Sequence, residues 1–517
     1  MTVTILGAGA PVAVQAEPGQ TLLDILRAAH AAPNAPCGGN GTCGRCRVRV
    51  SGAVSAPEDA EQAAVRDGER LACRCRAVGE GTVTLGRAGA DVICTDGAGR
   101  AFPVTKRPGL GAAADIGTTT VVVYLYDLET GARLAHASAP SAQKMYGADV
   151  ISRVSFCDSR PDGLELLAAA VREQLCALLD ETLKKAGRGA GELASACIAG
   201  NTVMLHILCG LDPHSIAVAP FTPKSLFGRT VPGGTIGLPD VPVLLCPCVA
   251  GYVGGDITAG LLASGAAADA GPCLFLDVGT NGEMALCRGG RIVTCATAAG
   301  PAFEGAEISC GIPARAGAID RVWLEDGRVQ LSVLGGGAAA GVCGSGLLDA
   351  LAVMLELGAV DETGRLLPPD ETTAAARAHV SVSDGGVEFS LAPGVSVSAA
   401  DVRALQLAKA AVAAGIETLL GQMGVAAEEL TALYLAGGFG NYLRPESAAR
   451  IGLFPACLVP RVVPCGNSAG AGAAAALCSD DARRELSAIA QRAEYLELSG
   501  RADFSEAYID AMELPEA

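Results

Sequence analysis

The sequence predicts a multidomain protein of α/β and α+β class: a small grasp-like sheet unit at the amino end, then a larger, internally duplicated α/β unit of two lobes. Three observations carry this. Four cysteines stand in Cys37-Gly-Gly-Asn-Gly-Thr-Cys43-Gly-Arg-Cys46 and, after 26 intervening residues, in Arg70-Leu-Ala-Cys73. A strand, turn, strand pattern led by an aspartate occurs twice, at Asp115 and at Asp277. At 517 residues the chain is too long for one ordinary core and suggests two or three domains.

The amino-terminal unit comes first. Thr2 to Leu6 and Pro11 to Gln15 alternate like two hairpin strands, and Thr21 is placed to cap a helix running through His30. Arg47 to Val50 reads as another strand, and Thr82 to Leu85 is expected to close the sheet. Between these elements lies the C-x5-C-x2-C…C pattern, one residue longer in its first gap than the plant-type spacing for a two-iron cluster. A cluster needs thiolates presented from several directions, so the backbone must wrap it closely, and Gly38, Gly39, Gly41 and Gly44 permit that. We therefore expect Cys37, Cys43, Cys46 and Cys73 to hold a [2Fe-2S] cluster. Cys43-x2-Cys46 taken alone also suits a zinc site, and Cys75 competes with Cys73 for the fourth place.

Composition sets the outer limits. Half of the residues are hydrophobic and only 18% are charged, which suits packed α/β domains rather than disorder. A formal net charge of −17 argues against nucleic acid or an anionic membrane as the main partner. The first twenty residues have neither a basic start nor a sustained apolar run, and the apolar stretch Ala338 to Val360 is interrupted by glycines, Asp349 and Glu356, so neither an export signal nor a membrane span is expected. Twenty cysteines without an export signal imply a reducing, cytoplasmic setting, in which most thiols outside the quartet act as small buried hydrophobes. Cys246-Pro-Cys248 offers a metal or redox pair, against which a structural role is the favoured reading. With five scattered histidines, no metalloprotease or thiol-protease signature is present, and His206 reads as a packed helix residue.

The larger unit follows a loop-like stretch containing Pro103 and Pro108. Its first hairpin runs through Asp115-Ile-Gly117-Thr118-Thr119-Thr120, and its second through Asp277-Val-Gly279-Thr280-Asn281-Gly282-Glu283. An aspartate at a strand end projects its carboxylate into a cleft, where it can hold hydrated Mg²⁺. The glycine after it permits a turn whose N–H groups, with threonine hydroxyls, cradle phosphate oxygens. Two such turns facing each other would grip the β- and γ-phosphates of a nucleotide. A third element, Leu433-Tyr-Leu-Ala436-Gly437-Gly438-Phe439-Gly440-Asn441, is a buried strand running into glycines that let a nucleoside lie against the backbone. Asp115 and Asp277 are thus expected to organise metal and water, with Gly117, Thr118, Thr119, Gly279, Thr280 and Asn281 around the phosphates and Gly437 and Gly438 at the nucleoside. Glu283, Glu304 and Glu307 compete for the role of base. Helices are expected after Asn201 and after Asn467, as the crossings at the hinge between lobes.

These residues resemble two known groups. Residues 1 to 88 resemble the [2Fe-2S] ferredoxin domain, in which Arg70-Leu-Ala-Cys73 is a ligand context. The two hairpins and the Ala436 to Gly440 turn resemble the phosphate and adenosine loops of the superfamily of acetate and sugar kinases, heat-shock chaperone ATPases and actin. More narrowly, the whole chain resembles the reductive activators of corrinoid-dependent proteins, with further matches at Gly200-Asn-Thr-Val-Met-Leu-His206, Gly300-Pro-Ala-Phe-Glu304, Val342-Cys-Gly344-Ser345-Gly346 and Glu494-Tyr-Leu-Glu-Leu. The resemblance implies a β-grasp ferredoxin domain at 1–88, a linker at 89–111 and a two-lobed actin-like ATPase at 112–270 and 271–517. It implies ATP, Mg²⁺ and a [2Fe-2S] cluster as cofactors, an upstream electron donor, and as partner the corrinoid protein of a methyltransferase system, whose cob(II)alamin is returned to cob(I)alamin. Better-described members carry a small middle domain after the linker and dimerise partly through it; the interval from about Gly86 to Ala113 is too short for one, which leaves a homodimer open. Two other readings stand beside this: a small-molecule kinase with a regulatory ferredoxin domain, and an activator of another low-potential metalloenzyme.

Overall fold

The computed structural model describes residues 1–7, 11–29, 31–33, 35, 37–41, 43–58, 61, 65, 68–85, 93–97, 99–305, 308–383, 386–440 and 442–515. His30, Glu307 and Asn441 lie outside these residues. The amino-terminal sheet is built from β1 (Thr2–Leu6), β2 (Val12–Gln15), β3 (Arg47–Val54), β4 (Glu69–Leu71) and β5 (Ala77–Thr84), in the order β2-β1-β5-β3-β4. The last strand does not close the sheet at an edge; it lies at the centre, parallel to β1 and antiparallel to β3. A seven-residue helix, Leu22–Ala28, starts where Thr21 accepts the N–H of Asp24 at 3.1 Å. Leu22, Leu23, Ile25 and Leu26 are buried against the sheet, each worth roughly 1.5–3 kcal/mol.

Two six-stranded sheets make up the rest. The first contains β6 (Leu110–Ile116), β7 (Thr120–Asp127), β8 (Arg133–Pro140), β9 (Leu193–Gly200), β10 (Thr230–Pro232) and β11 (Pro242–Leu245), ordered β10-β11-β9-β6-β7-β8. The second begins with β12 (Cys273–Val278), β13 (Gly282–Arg288) and β14 (Arg291–Thr297). Two small sheets, β15 (Ala318–Glu325), β16 (Arg328–Val333), β17 (Gly341–Val342) and β18 (Val380–Ser383), β19 (Gly386–Ala392), β20 (Val395–Ser398), intervene before β21 (Ala432–Ala436), β22 (Val462–Gly466) and β23 (Ala493–Tyr495) complete the order β22-β21-β12-β13-β14-β23.

The duplication is explicit in the pairing. In each half a three-stranded antiparallel meander, β6-β7-β8 or β12-β13-β14, adds two parallel strands beside its first strand, β9 and β11 or β21 and β22. Asp115 and Asp277 occupy equivalent registers, opposite Ala199 and Ala436 of the neighbouring parallel strands. These strands are buried on both faces, which is why they read as near-continuous apolar runs.

The expected hinge pair needs one correction. The helix after Asn201, Thr202–Leu208, packs inside the first lobe, with His206 buried against Phe227. The helix after Asn467, Ser468–Cys478, instead crosses Gly255–Ser264, and both belong to the core shared by the two sheets. The reason is close approach of the two helices: a Cβ on Gly472 would collide with the Ala259 carbonyl, and one on Gly260 would lie 3.0 Å from Ser468 Oγ. The connector runs over this crossing, where Arg100 N–H donates to Ala263 and Thr105 N–H to Cys478. Among the described residues one helix, Ala399–Met423, is long and apolar enough by composition to cross a membrane, and 67% of its apolar 18-residue window is buried inside the protein.

Candidate functional sites: a thiol quartet beside a two-hairpin cleft

Cys37 and Cys43 face each other with 3.3 Å between their sulfurs, and Cys46 and Cys73 do the same. The loop that brings them together turns through left-handed backbone at Gly38, Gly39, Gly41 and Gly44. The Cys73 segment is tied to the loop by Ala72 N–H donating to the Cys46 carbonyl at 2.8 Å. It is braced from behind by the buried Glu61, which accepts from Arg70 at 2.8 Å and from the Leu71 N–H at 2.7 Å. Cys75 turns the other way, into the sheet core, and burial pushes its thiol up to about 11. Two thiol pairs match the demand of a two-iron centre for two thiolates on each iron.

The second site is a cleft of about 980 Å³ between the two large sheets. Both aspartate hairpins face it, and so does the turn Gly437–Gly440. The structure brings Asp115, Gly117, Thr118, Thr119, Asp277, Gly279, Thr280, Asn281, Gly437 and Gly438 to this one cleft. Gly437 sits at φ 86°, and a Cβ there would strike the carboxylate of Asp277 and approach the Val278 carbonyl to 2.8 Å, so the site requires glycine. Phe439 stacks on Phe303 with centroids 5.1 Å apart, giving the cleft an aromatic wall. Oδ1 of Asp320, also lining the cleft, is buried without a hydrogen-bond partner.

Glu304 holds the two hairpins together. Its carboxylate accepts from Thr119 Oγ1 at 2.9 and 3.0 Å and from Thr280 Oγ1 at 2.8 Å. Behind the first hairpin the fully buried Arg153 donates to the Thr118 carbonyl at 2.5 Å, to the Gly147 carbonyl at 3.1 Å and to Gln143 at 3.1 Å.

The cleft floor is strongly acidic. Burial, then repulsion from Asp256, raises Asp115 to about 7; burial, then Asp256 and Asp115, raises Asp277 to about 7. Burial raises Asp256 to about 6, and Glu283 is raised well above its ordinary value by burial, Asp256 and Asp277. Asp256 therefore presses on all three of the others, although sequence reasoning passed over it; its signal was an acid directly after the glycine pair Gly254-Gly255 at a helix start. An all-oxygen donor set carrying this much unbalanced charge fits a hard divalent cation.

Other candidates fall elsewhere. His206 is enclosed, with Nδ1 2.7 Å from the Thr202 carbonyl, and burial lowers its pKa. Cys246 and Cys248 point into two different cores and form no pair with each other. Ten cysteines outside the quartet are buried.

Comparison with known proteins matches the stretches that carry both sites to known domains. The model of the 2Fe-2S iron-sulfur cluster binding domain matches residues 5–78, that of the RACo middle region residues 110–268, and that of the C-terminal domain of RACo, the ASKHA domain, residues 271–517. The corrinoid activation enzyme RamQ of Eubacterium limosum is 34% identical over 421 residues, covering 78% of this chain and 70% of that protein. The Co(II) methylated amine-specific corrinoid protein reductase of Methanosarcina barkeri is 26% identical over 394 residues, covering 69% of this chain and 68% of that protein. A solved reductive activator for a corrinoid, iron-sulfur protein superposes with a TM-score of 0.70 at 30% identity, covering 100% of this chain and 98% of that one. The middle-region match falls on the sheet whose first hairpin carries Asp115, so the expectation that this chain lacks a middle domain is corrected: that region is present as residues 110–268, after the short connector.

Proposed function

The chain belongs to the family of reductive activators of corrinoid proteins, and on that premise we propose that it delivers one electron, with ATP hydrolysis, to the cob(II)alamin of a corrinoid protein, restoring cob(I)alamin for methyl transfer. The chain divides on this reading into residues 1–88, 89–111, 112–270 and 271–517. A [2Fe-2S] cluster on Cys37, Cys43, Cys46 and Cys73 supplies the one-electron centre. Plant-type clusters lie near about −400 mV, while cob(I) is a stronger reductant, and each ~59 mV of a one-electron gap costs tenfold in the equilibrium. Lobe closure on ATP followed by reopening on its hydrolysis offsets that gap by changing how the partner is held.

The chain's own residues take these parts. Thr118, Thr119, Thr280 and Asn281, with the turns at Gly117 and Gly279, hold the phosphates. Gly437 and Gly438 admit the nucleoside, with Phe439 beside it and the orphaned oxygen of Asp320 as an acceptor. Asp115 and Asp277 would hold Mg²⁺, which would supply charge neutralisation and orient the attacking water, and Asp256 and Glu283 complete the carboxyl-lined floor around them. Arriving phosphates displace Glu304 from Thr119 and Thr280, which frees the two hairpins to close on the nucleotide.

The observation that carries this reading is the seating of the thiol loop on the nucleotide unit: Arg27 donates at 2.8 Å to the Gly38 carbonyl inside the loop and at 2.9 and 2.6 Å to the Met145 carbonyl of the first lobe. The test mixes anaerobically reduced protein, Mg-ATP and a corrinoid protein in the cob(II) state and follows the cobalt absorption. Conversion to cob(I) that requires ATP is expected; equal rates with and without ATP would remove the nucleotide from the account.

A further inference from the structure

Among the described residues of the ferredoxin unit, Arg45 alone lines the nucleotide cleft. It lies between the cluster-loop residues Gly44 and Cys46, so its backbone moves with two of the four thiols. Its Nη2 donates to the Ile308 carbonyl at 3.0 Å, on the wall formed by the second lobe. Four residues earlier on that same wall stands Glu304, bonded to Thr119 and Thr280 at the tips of both hairpins.

Arg27 fixes the loop from its other side. Besides its bonds to Gly38 and Met145, its guanidinium lies 5.2 Å from the Tyr146 ring centre and 5.5 Å from that of Phe156. There is no room for slack at this contact, because a Cβ on Gly38 would lie 2.7 Å from the Tyr146 carbonyl. Docking therefore delivers Arg45 to the cleft in a defined position.

The cleft has a charge deficit that such a residue meets. Asp115, Asp256, Asp277, Glu283 and Glu304 all line it, and a triphosphate adds several more negative charges. An arginine fork matches phosphate oxygens in two parallel, charge-assisted hydrogen bonds. The present acceptor of Arg45 is a neutral backbone carbonyl, which holds a guanidinium less strongly than a phosphate does.

Resting on the reading that this cleft binds a nucleoside triphosphate, we propose that Arg45 is a phosphate-binding residue of the nucleotide site, supplied by the ferredoxin unit. On nucleotide binding it exchanges the Ile308 carbonyl for the terminal phosphates. The docked thiol loop and the filled cleft then stabilise each other, and by linkage each tightens the other by the same factor. Loss of the terminal phosphate on hydrolysis removes that mutual support and loosens the loop that carries the electron centre.

The test is equilibrium titration of the full-length, cluster-loaded chain with the magnesium complex of the non-hydrolysable imido analogue of ATP, and separately with AMP. Arg45→Ala is expected to weaken the ATP analogue about tenfold or more and to leave AMP binding and the iron content unchanged, with Arg45→Lys recovering part of the loss. Hydrogen exchange across residues 43–46 should slow when the analogue binds wild-type protein and stay fast in Arg45→Ala. Equal analogue affinity in wild type and Arg45→Ala would overturn the assignment while leaving the ATP site standing. Parallel losses for the analogue and AMP would overturn it too, since they mark a general distortion. A wild-type protein that binds no nucleotide would remove both this inference and the reading beneath it.

Discussion

Asn467 donates from Nδ2 to Oδ2 of Asp115 at 3.0 Å, although 352 positions separate them in the chain. The same side chain caps the crossing helix Ser468–Cys478, its Oδ1 accepting the Gly470 N–H at 2.6 Å. One residue of the second lobe thus fixes both the hinge helix and the carboxylate of the first hairpin. The bond favours the ionised form of Asp115 and works against the burial that lifts it to about 7. Asn467→Ala is predicted to raise the Asp115 pKa further, so ATP turnover at pH 7 falls and recovers toward pH 8 and above. A kcat profile against pH checks this; an unmoved acid limb would contradict it. The lost cap costs about 1 kcal/mol in addition.

Asp277 gives a stability signature. Its folded pKa of about 7 lies above the ordinary aspartate value of 3.8, so between those two values the unfolded chain has released a proton that the folded chain keeps. The stabilising contribution is fully present below about pH 4 and is lost as pH rises through about 7, with each unit of difference worth about 1.4 kcal/mol. Asp277→Asn, neutral throughout, is therefore predicted to melt higher than wild type at pH 8 in the absence of nucleotide, and to keep only the smaller part of that advantage at pH 5. Scanning calorimetry at the two pH values checks it. An equal shift at both would show that ionisation is not the cause.

The two neighbouring thiols Cys73 and Cys75 separate ligand from core. Cys73→Ser is predicted to abolish the visible absorption of the reconstituted protein and its content of iron and sulfide. Cys75→Ser places a hydroxyl in an apolar core and is predicted to cost about 1–3 kcal/mol of stability while leaving iron and sulfide content intact. Metal analysis and thermal melts of both variants decide between them, and iron loss only in Cys75→Ser would reverse the assignment.

At the helix crossing, Gly472→Val forces a branched side chain against the Ala259 carbonyl. Separating the helices is predicted to cost about 1–3 kcal/mol or more and to depress ATP turnover strongly while sparing the spectrum of the iron–sulfur centre. Steady-state ATPase rates beside visible absorption test this, and wild-type turnover would show that the crossing does not transmit closure.

Much of the site could be read from local pattern, because the chemistry is local. The cysteine quartet and the two aspartate hairpins each place their working residues within a few positions, among glycines that only special backbone requires. What escaped was set by contacts distant in sequence. Asp256 looks like any acid in the first turn of a helix until the fold puts it between Asp115 and Asp277. The helix after Asn201 was the expected partner of Ser468–Cys478, and only the close approach of Gly472 to the Ala259 backbone selects Gly255–Ser264. The central place of β5 depends on parallel pairing with β1, which alternation of side chains does not reveal. Arg27, Arg45 and Arg153 carry no local signal, yet each is bonded to a carbonyl on a loop that borders the cleft or the thiols.

The central claim is that the electron held by the four thiols reaches the partner's cobalt only when nucleotide is turned over. Electron paramagnetic resonance tests it most directly, since the reduced two-iron centre and cob(II) each carry an unpaired electron. On mixing reduced protein with cob(II) corrinoid protein and Mg-ATP, both signals are predicted to fall by equal amounts, and to persist when ATP is replaced by its non-hydrolysable analogue or omitted. Loss of the cob(II) signal without matching loss of the iron–sulfur signal, or equal loss without ATP, would contradict the account.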